Sequence, residues 1–98
     1  MENEQIYQLC TQIPTGKVTT YGEIARKLGT KGFQAIGQIL SKNPYAPKVP
    51  CHRVVKSNGE IGGFKGSQDN QQKIKLLQQE GVIVKNNKID LKKYLYQF

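Results

Sequence analysis

Thr20-Tyr21-Gly22-Glu23-Ile24-Ala25-Arg26-Lys27-Leu28-Gly29-Thr30-Lys31-Gly32-Phe33-Gln34-Ala35-Ile36-Gly37-Gln38-Ile39-Leu40-Ser41 reads as two short helices about a glycine-bounded corner. Thr20 and Glu23 have capping-box spacing, in which the hydroxyl accepts from the backbone N–H three residues on. Ile24, Ala25 and Leu28 continue at helical spacing until Gly29, a residue suited to the left-handed C-cap. A second helix runs from about Phe33 to Ser41, and the corner makes the pair a helix-turn-helix candidate. On that second helix Ala35, Gly37 and Ser41 keep one face small, while Ile36, Ile39 and Leu40 form an apolar one. A small face suits close approach to another surface, ligand or neighbouring helix, and spacing alone does not choose between them.

Before this unit, Ile6, Leu9, Cys10 and Ile13 recur at i, i+3, i+4, i+7, which predicts an amphipathic helix over 4–13 ended by Pro14-Thr15-Gly16. Cys10 belongs to its buried stripe and reads as a small core hydrophobe. Beyond it, Asn43-Pro44-Tyr45-Ala46-Pro47 leads into an extended segment, with Val49 kept from helical geometry by Pro50. Residues 52–55 and 60–61 read as two short strands about Ser57-Asn58-Gly59, a hairpin or wing. Gly62-Gly63-Phe64-Lys65-Gly66 is a loop, either a linker or a place where backbone N–H groups meet a ligand. Ser67 is a fitting N-cap for a helix running to Glu80 with Gly81 as its C-cap, and Asn86-Asn87 marks a last small hairpin. The expected fold is mainly α with small β-hairpins, a winged helix-turn-helix-like single domain over 1–98.

A chain of 98 residues supports one such domain. Its net charge of +8 is uneven: 1–15 carry two acids and no base, 16–66 carry nine Lys/Arg against Glu23 and Glu60, and 67–98 carry six Lys against three acids. A basic centre suits a polyanion such as nucleic acid, and equally a solvated lysine surface. No apolar run approaches the roughly 18 residues of a membrane span, and the acidic start is unlike a signal peptide, so a soluble intracellular protein, cytoplasmic or nuclear, is expected. With one histidine and no paired cysteines there is no structural zinc set, and the two cysteines are expected as reduced thiols. No cofactor is expected.

The chemistry concentrates at Pro50-Cys51-His52-Arg53-Val54-Val55, where the single histidine follows one of the two cysteines. A thiolate is the reactive form of cysteine, and a neighbour able to take its proton favours that form. Neighbours in an extended segment point to opposite faces, so contact needs a bend at Pro50 or a bridging water. Glu80 stands at the end of its helix, where the macrodipole disfavours a carboxylate by roughly 0.3–1 kcal/mol. Either it has a cationic partner, for which His52 is a candidate, or it is an exposed glutamate tolerating the penalty.

Together these stretches closely resemble the DNA-binding, active-site domain of the alkylguanine-DNA alkyltransferases, whose active-site signature Pro50-Cys51-His52-Arg53-Val54 matches. The likeness extends through Gly16-Lys17-Val18-Thr19-Thr20-Tyr21, Ala35-Ile36-Gly37, Asn43-Pro44, Gly62 to Gly66 and Glu80-Gly81. It implies that Cys51 is the nucleophile that accepts the alkyl group, with His52 linked to it through a water and to Glu80 on the other side. It further implies that Asn43 braces the active-site segment against the helix-turn-helix and that Tyr21 works near the flipped nucleotide. The backbone carbonyls of Cys51 and Val54 would meet the guanine amine and the Lys65 N–H the alkylated oxygen. Gln34, Ala35, Gly37, Arg53, Phe64 and Gly66 complete the implied DNA-side set. The implied partner is double-stranded DNA containing alkylated guanine, bound by a monomer that lacks the N-terminal domain many members carry.

One position departs from the family pattern: Gln34 stands where members usually carry an arginine that fills the gap left by the flipped base. Glutamine gives up the cation and part of the wedge, which predicts slower repair of duplex substrate with less loss on single strands. Two other functions compete. One is a non-catalytic relative that binds alkylguanine and recruits repair factors, though such relatives lack the signature cysteine. The other is a winged-helix transcription regulator, which leaves Cys51-His52 unexplained.

Overall fold

The structure is a computed structural model, and it describes residues 3–42, 44–45, 48–62 and 71–98. Helix α1 spans Asn3–Gln12, and the expected buried stripe is present in Ile6, Leu9 and Cys10. Strand β1, Thr19–Thr20, runs directly into α2, Tyr21–Leu28, whose first turn is capped by the Thr20 hydroxyl accepting from Glu23 N–H at 3.0 Å. Gly29 at φ 72 ends it, and Thr30 N–H reaches back to Ala25 O at 2.9 Å, the long bond of a Schellman cap. Helix α3, Phe33–Ser41, packs on α2 and α1 and completes the helix-turn-helix.

After α3 the expectation of a strand over 52–55 is corrected. Cys51–Arg53 form a single 3-10 turn, and only Val54–Val55 are extended, as β2. Strand β2 pairs in parallel with β1, Thr19 opposite Val54 and Thr20 opposite Val55, rather than folding back on residues 60–61. The Ser57-Asn58-Gly59 turn is present, closed by Lys56 N–H to Glu60 O at 2.9 Å, but Glu60 bridges to Lys88. The reason is burial: Val54 and Val55 are both fully enclosed, so this strand fills the interior between two cores and is no exposed wing.

Helix α4, Gln71–Gln79, ends where expected, with Gly81 at φ 88 and Val82 N–H on Leu77 O at 3.0 Å. Asn86 and Asn87 take φ 51 and 63, and Lys85 and Lys88 exchange both backbone bonds across them, a tight hairpin turn of the primed type. A four-residue helix α5, Leu91–Tyr94, capped by Asp90, had no counterpart in the sequence reading. The chain end then runs beside β1: Val18 N–H donates to Tyr94 O at 2.9 Å and Thr19 Oγ1 to Tyr96 O at 2.9 Å. No helix of the described residues is long and apolar enough to cross a membrane.

Two cores flank β2. One gathers Ile6, Leu9, Cys10 and Ile13 of the α1 region with Ile24, Ala25, Ile36, Leu40, Cys51 and Val54. The other gathers Val18, Val55, Ile61, Leu77, Val82, Ile89 and Tyr94. Alternate residues of a strand point to opposite faces, so Val54 enters the first and Val55 the second. Burying both sides of one short segment fixes the turn that precedes it.

Candidate active site around Cys51

Pro50 supplies the bend that contact between Cys51 and its surroundings requires. Its φ of −81° and ψ of 65° are those of an inverse γ-turn, and Cys51 N–H donates to Val49 O at 2.8 Å across it. Arg53 N–H then bonds Pro50 O at 3.0 Å, and Val54 N–H caps Cys51 O, which closes the 3-10 turn. Cys51 is 5% exposed, and both cysteines are free thiols.

Glu80 organises the charges next to it. His52 Nε2 lies 2.9 Å from Glu80 Oε2, Arg53 Nη2 donates to the same oxygen at 2.7 Å, and Arg53 Nε donates to Oε1 at 2.9 Å. Arg53 Nη1 also donates to Ile13 O at 2.8 Å and Nη2 to Thr15 Oγ1 at 3.1 Å, tying the turn to the end of α1. The macrodipole penalty at Glu80 is thus offset by a two-pronged guanidinium and an imidazole. Burial pushes the Glu80 carboxyl upward, but the hydrogen bonds and charges of Arg53 and His52 outweigh it and hold the group below its usual range.

An ionised Glu80 can only accept, so His52 carries its proton on Nε2 and presents Nδ1 as an acceptor. Nδ1 is buried and has no hydrogen-bond partner among the described residues. Burial lowers the imidazole pKa below its usual 6.5; Glu80 partly counters this, and Arg53 and Lys73 add to it. The ring at neutral pH is a neutral base with its lone pair inside the protein.

Among the described residues, ionisable side chains from three different helices have strongly shifted pKa values. Tyr21 opens α2, and burial, followed by Cys51 and Cys10, pushes its phenol up to about 12. Cys10 on α1 is pushed up to about 12 by burial and then by Cys51. Lys73 on α4 is 1% exposed and pulled down to about 8 by burial, with Cys51 acting in the opposite direction. The sequence reading missed Lys73, although its place four residues before buried Leu77 puts it on the inner face of α4.

The remaining expected residues fall into three groups. On α3, Gln34 and Ala35 are exposed and, with Lys31 and Gly32, line a shallow hollow at the helix start. Gly37 turns toward Tyr21, since a Cβ there would lie 4.0 Å from Tyr21 Cε1, whereas Ala35 is exposed; two positions apart on a helix they lie on nearly opposite sides, so the expected single small face of Ala35, Gly37 and Ser41 is corrected. Arg53, expected on the DNA side, instead commits its guanidinium to Glu80, Ile13 and Thr15, and the Val54 side chain is core. Asn43, Phe64, Lys65 and Gly66 lie outside the described residues, as does Ser67.

Comparison with known proteins identifies the family of the sequence and the fold. The sequence profile of the 6-O-methylguanine DNA methyltransferase DNA-binding domain matches residues 2–82. A methylated-DNA–protein-cysteine methyltransferase of Candida glabrata is 46% identical over 101 residues, covering 94% of this chain and 48% of the relative, so the chain spans about half of that protein's length. A DNA base-flipping protein of Vibrio parahaemolyticus is 43% identical over 95 residues, 95% of this chain and 93% of the relative. Among solved structures, S. pombe Atl1 in complex with damaged DNA containing O6-carboxymethylguanine superposes with a TM-score of 0.87 at 32% identity, covering 98% of this chain and 94% of that one. With the profile covering most of its length, the chain belongs to the 6-O-methylguanine DNA methyltransferase family, as a DNA-binding domain of that family.

Proposed function

We propose that this protein repairs DNA by moving an alkyl group from the exocyclic oxygen of guanine to Cys51, once per molecule. The observation that carries the reading is the ordered chain Glu80–His52 Nε2–H with Nδ1 left as a buried acceptor one residue from the only cysteine on a constrained turn. Nδ1 takes the Cys51 proton, directly or through one water, and the sulfur attacks the alkyl carbon. The carbon–sulfur bond forms as the carbon–oxygen bond breaks, the electron pair goes to the base, and a proton returns to it to give guanine. The product thioether is a poor leaving group, so the thiol is not regenerated. The target nucleotide leaves the stack first, at a cost of a few kcal/mol, with Tyr21 and the α3 face holding the DNA and the basic middle of the chain meeting phosphates.

A second reading is recognition without transfer, supported by the likeness to a base-flipping protein and to DNA-bound Atl1. Chromatography of the nucleosides from a duplex with one O6-methylguanine separates the two. Conversion of the lesion to guanine, equal in amount to the protein added and lost in Cys51→Ser, supports transfer. Tight lesion-selective binding with the lesion left intact supports recognition alone.

A further inference from the structure

Residues 83–98 lie beyond the 2–82 matched by the family profile and carry Lys85, Lys88, Lys92 and Lys93 against Asp90 alone. The fold gathers these charges about an apolar group. A hollow of about 230 Å³ is lined by Ile83, Lys85, Lys88, Asp90, Lys93 and Tyr94. Ile83 is 53% exposed, and Tyr45 is the only other large apolar side chain so exposed among the described residues. The Ile83 N–H donates to Tyr94 Oη at 3.3 Å, which anchors it beside that ring. The ring itself is buried, with Lys93 Nζ 5.4 Å from its centroid, and Lys17 Nζ donates to Lys93 O at 3.2 Å, which brings a fifth cation to the edge. The acids nearby are engaged: Asp90 Oδ1 accepts from Lys92 N–H at 3.0 Å, and Glu60, bridged to Lys88 through the backbone, is faced by Lys56 at 3.9 Å. Among the described residues no ion pair includes Lys85, Lys88, Lys92 or Lys93.

We propose that this hollow is a docking site for an acidic segment of another protein, with an apolar side chain of that segment covering Ile83 and its carboxylates meeting the lysines. Two features choose this partner over nucleic acid. A phosphodiester backbone brings no apolar group to Ile83, and the buried Tyr94 ring, with the Lys93 ammonium over it, offers no open face for a base to stack on. An exposed apolar residue ringed by cations is matched by the converse, an apolar residue ringed by acids: the charges select and steer the partner, and the apolar contact excludes water at the centre. The hollow is also set apart from α3. Ile36 and Leu40 of α3 enter the core on the Val54 side of β2, whereas Ile89 and Tyr94 belong to the core on the Val55 side. A partner can therefore be held while α3 is on DNA, and docking does not depend on transfer at Cys51.

The test is fluorescence anisotropy of a fluorescein-labelled peptide of aspartates and glutamates about a central leucine pair. It is titrated with the full chain at about 0.1 M salt, alone and saturated with unmodified duplex DNA. Saturable binding is expected, and it is kept when the duplex is present. Ile83→Ser should weaken it by about five- to tenfold, as should replacing the leucine pair by serines. Lys88→Glu combined with Lys93→Glu should weaken it by about tenfold or more, and should lower duplex affinity far less. All three side chains are exposed, so the variants should keep the parent's circular dichroism. No saturable binding, or binding that ignores Ile83→Ser, overturns the proposal. A peptide displaced by the duplex, or equal losses of peptide and duplex affinity in the lysine variant, overturns it as well and makes these lysines part of the DNA surface. No alkylated base is used, so a failure here is separate from a failure of the repair reading.

Discussion

Replacing Glu80 by glutamine changes one oxygen into an NH2 at nearly constant shape, and the structure shows which bond suffers. With its oxygen in the place of Oε2, the amide still accepts from His52 Nε2 and Arg53 Nη2, now at 2.9 and 2.7 Å. Its nitrogen then faces Arg53 Nε, donor against donor, where Oε1 accepts at 2.9 Å. One charge-assisted bond is lost, two are weakened, and a half-buried guanidinium keeps its charge without an anion. The expected cost is about 2–4 kcal/mol, a fall in Tm on the order of 10–20 °C for a domain of this size. Since the His52 tautomer survives, methyl transfer should slow by about ten- to a hundredfold, the part due to a weakened base, and should not vanish. Both Glu80 and His52 have folded pKa values below their usual 4.5 and 6.5, so the unfolded chain binds protons more readily. Their stabilisation is present above those values and is lost as pH falls, and the gap between parent and variant should close toward acid pH. Scanning calorimetry at pH 7 with Tm values within about 2 °C would refute the assignment of Glu80 as the tie between α4 and the active-site turn.

Glycines give a matched pair of stability tests. At Gly59, φ is +89 and an added Cβ would meet Ile89 O at 2.5 Å, whereas at Gly81, φ is +88 with nothing within 4 Å. Gly81→Ala should cost about 1–2 kcal/mol from backbone strain and Gly59→Ala clearly more; equal urea midpoints would contradict the close approach of the Gly59 turn to Ile89. In alkaline solution, Lys73 at about 8 against 10.5 predicts stability that rises from pH 8 by about 1.4 kcal/mol per unit. From pH 9 the Cys10 thiol, and from pH 10 the Tyr21 phenol, oppose it, because both are raised to about 12 in the folded state. Urea unfolding should therefore show a gain from pH 8 to 9, a plateau and a loss above 10, with the gain absent in Lys73→Met; a decline from pH 8 to 9 in the parent would count against a buried ammonium. Gln34 is exposed at the start of α3, and Gln34→Arg should speed methyl transfer on duplex DNA more than on single strands; equal gains on both would remove the wedge argument.

What the sequence disclosed follows from which signals are local. The α1 stripe, the Thr20 cap, the Gly29 and Gly81 stops and the Asn86-Asn87 turn each rest on residues within one or two turns of each other, and all are present in the structure. The parallel pairing of Thr19–Thr20 with Val54–Val55 rests on two residues a side, too few to show a period, and the 3-10 turn at Cys51–Arg53 depends on both cores closing around it. The site was legible where a motif names residues side by side, at Cys51 and His52. Arg53 was placed on the DNA side with the rest of the set that the resemblance implies, while the fold turns it onto Glu80, whose helix-end carboxylate needed a cation. Lys73 was missed because lysine is read as surface, and only the register of α4 against the turn shows that this one is interior.

The central claim is that Cys51 takes the alkyl group and keeps it. Intact-protein mass spectrometry after incubation with a duplex containing one O6-methylguanine measures this directly. The account predicts one methyl added per protein molecule, mapped to Cys51, unchanged by excess DNA or longer incubation, and absent in Cys51→Ala. An unmodified mass for protein that has bound the lesion tightly would contradict it.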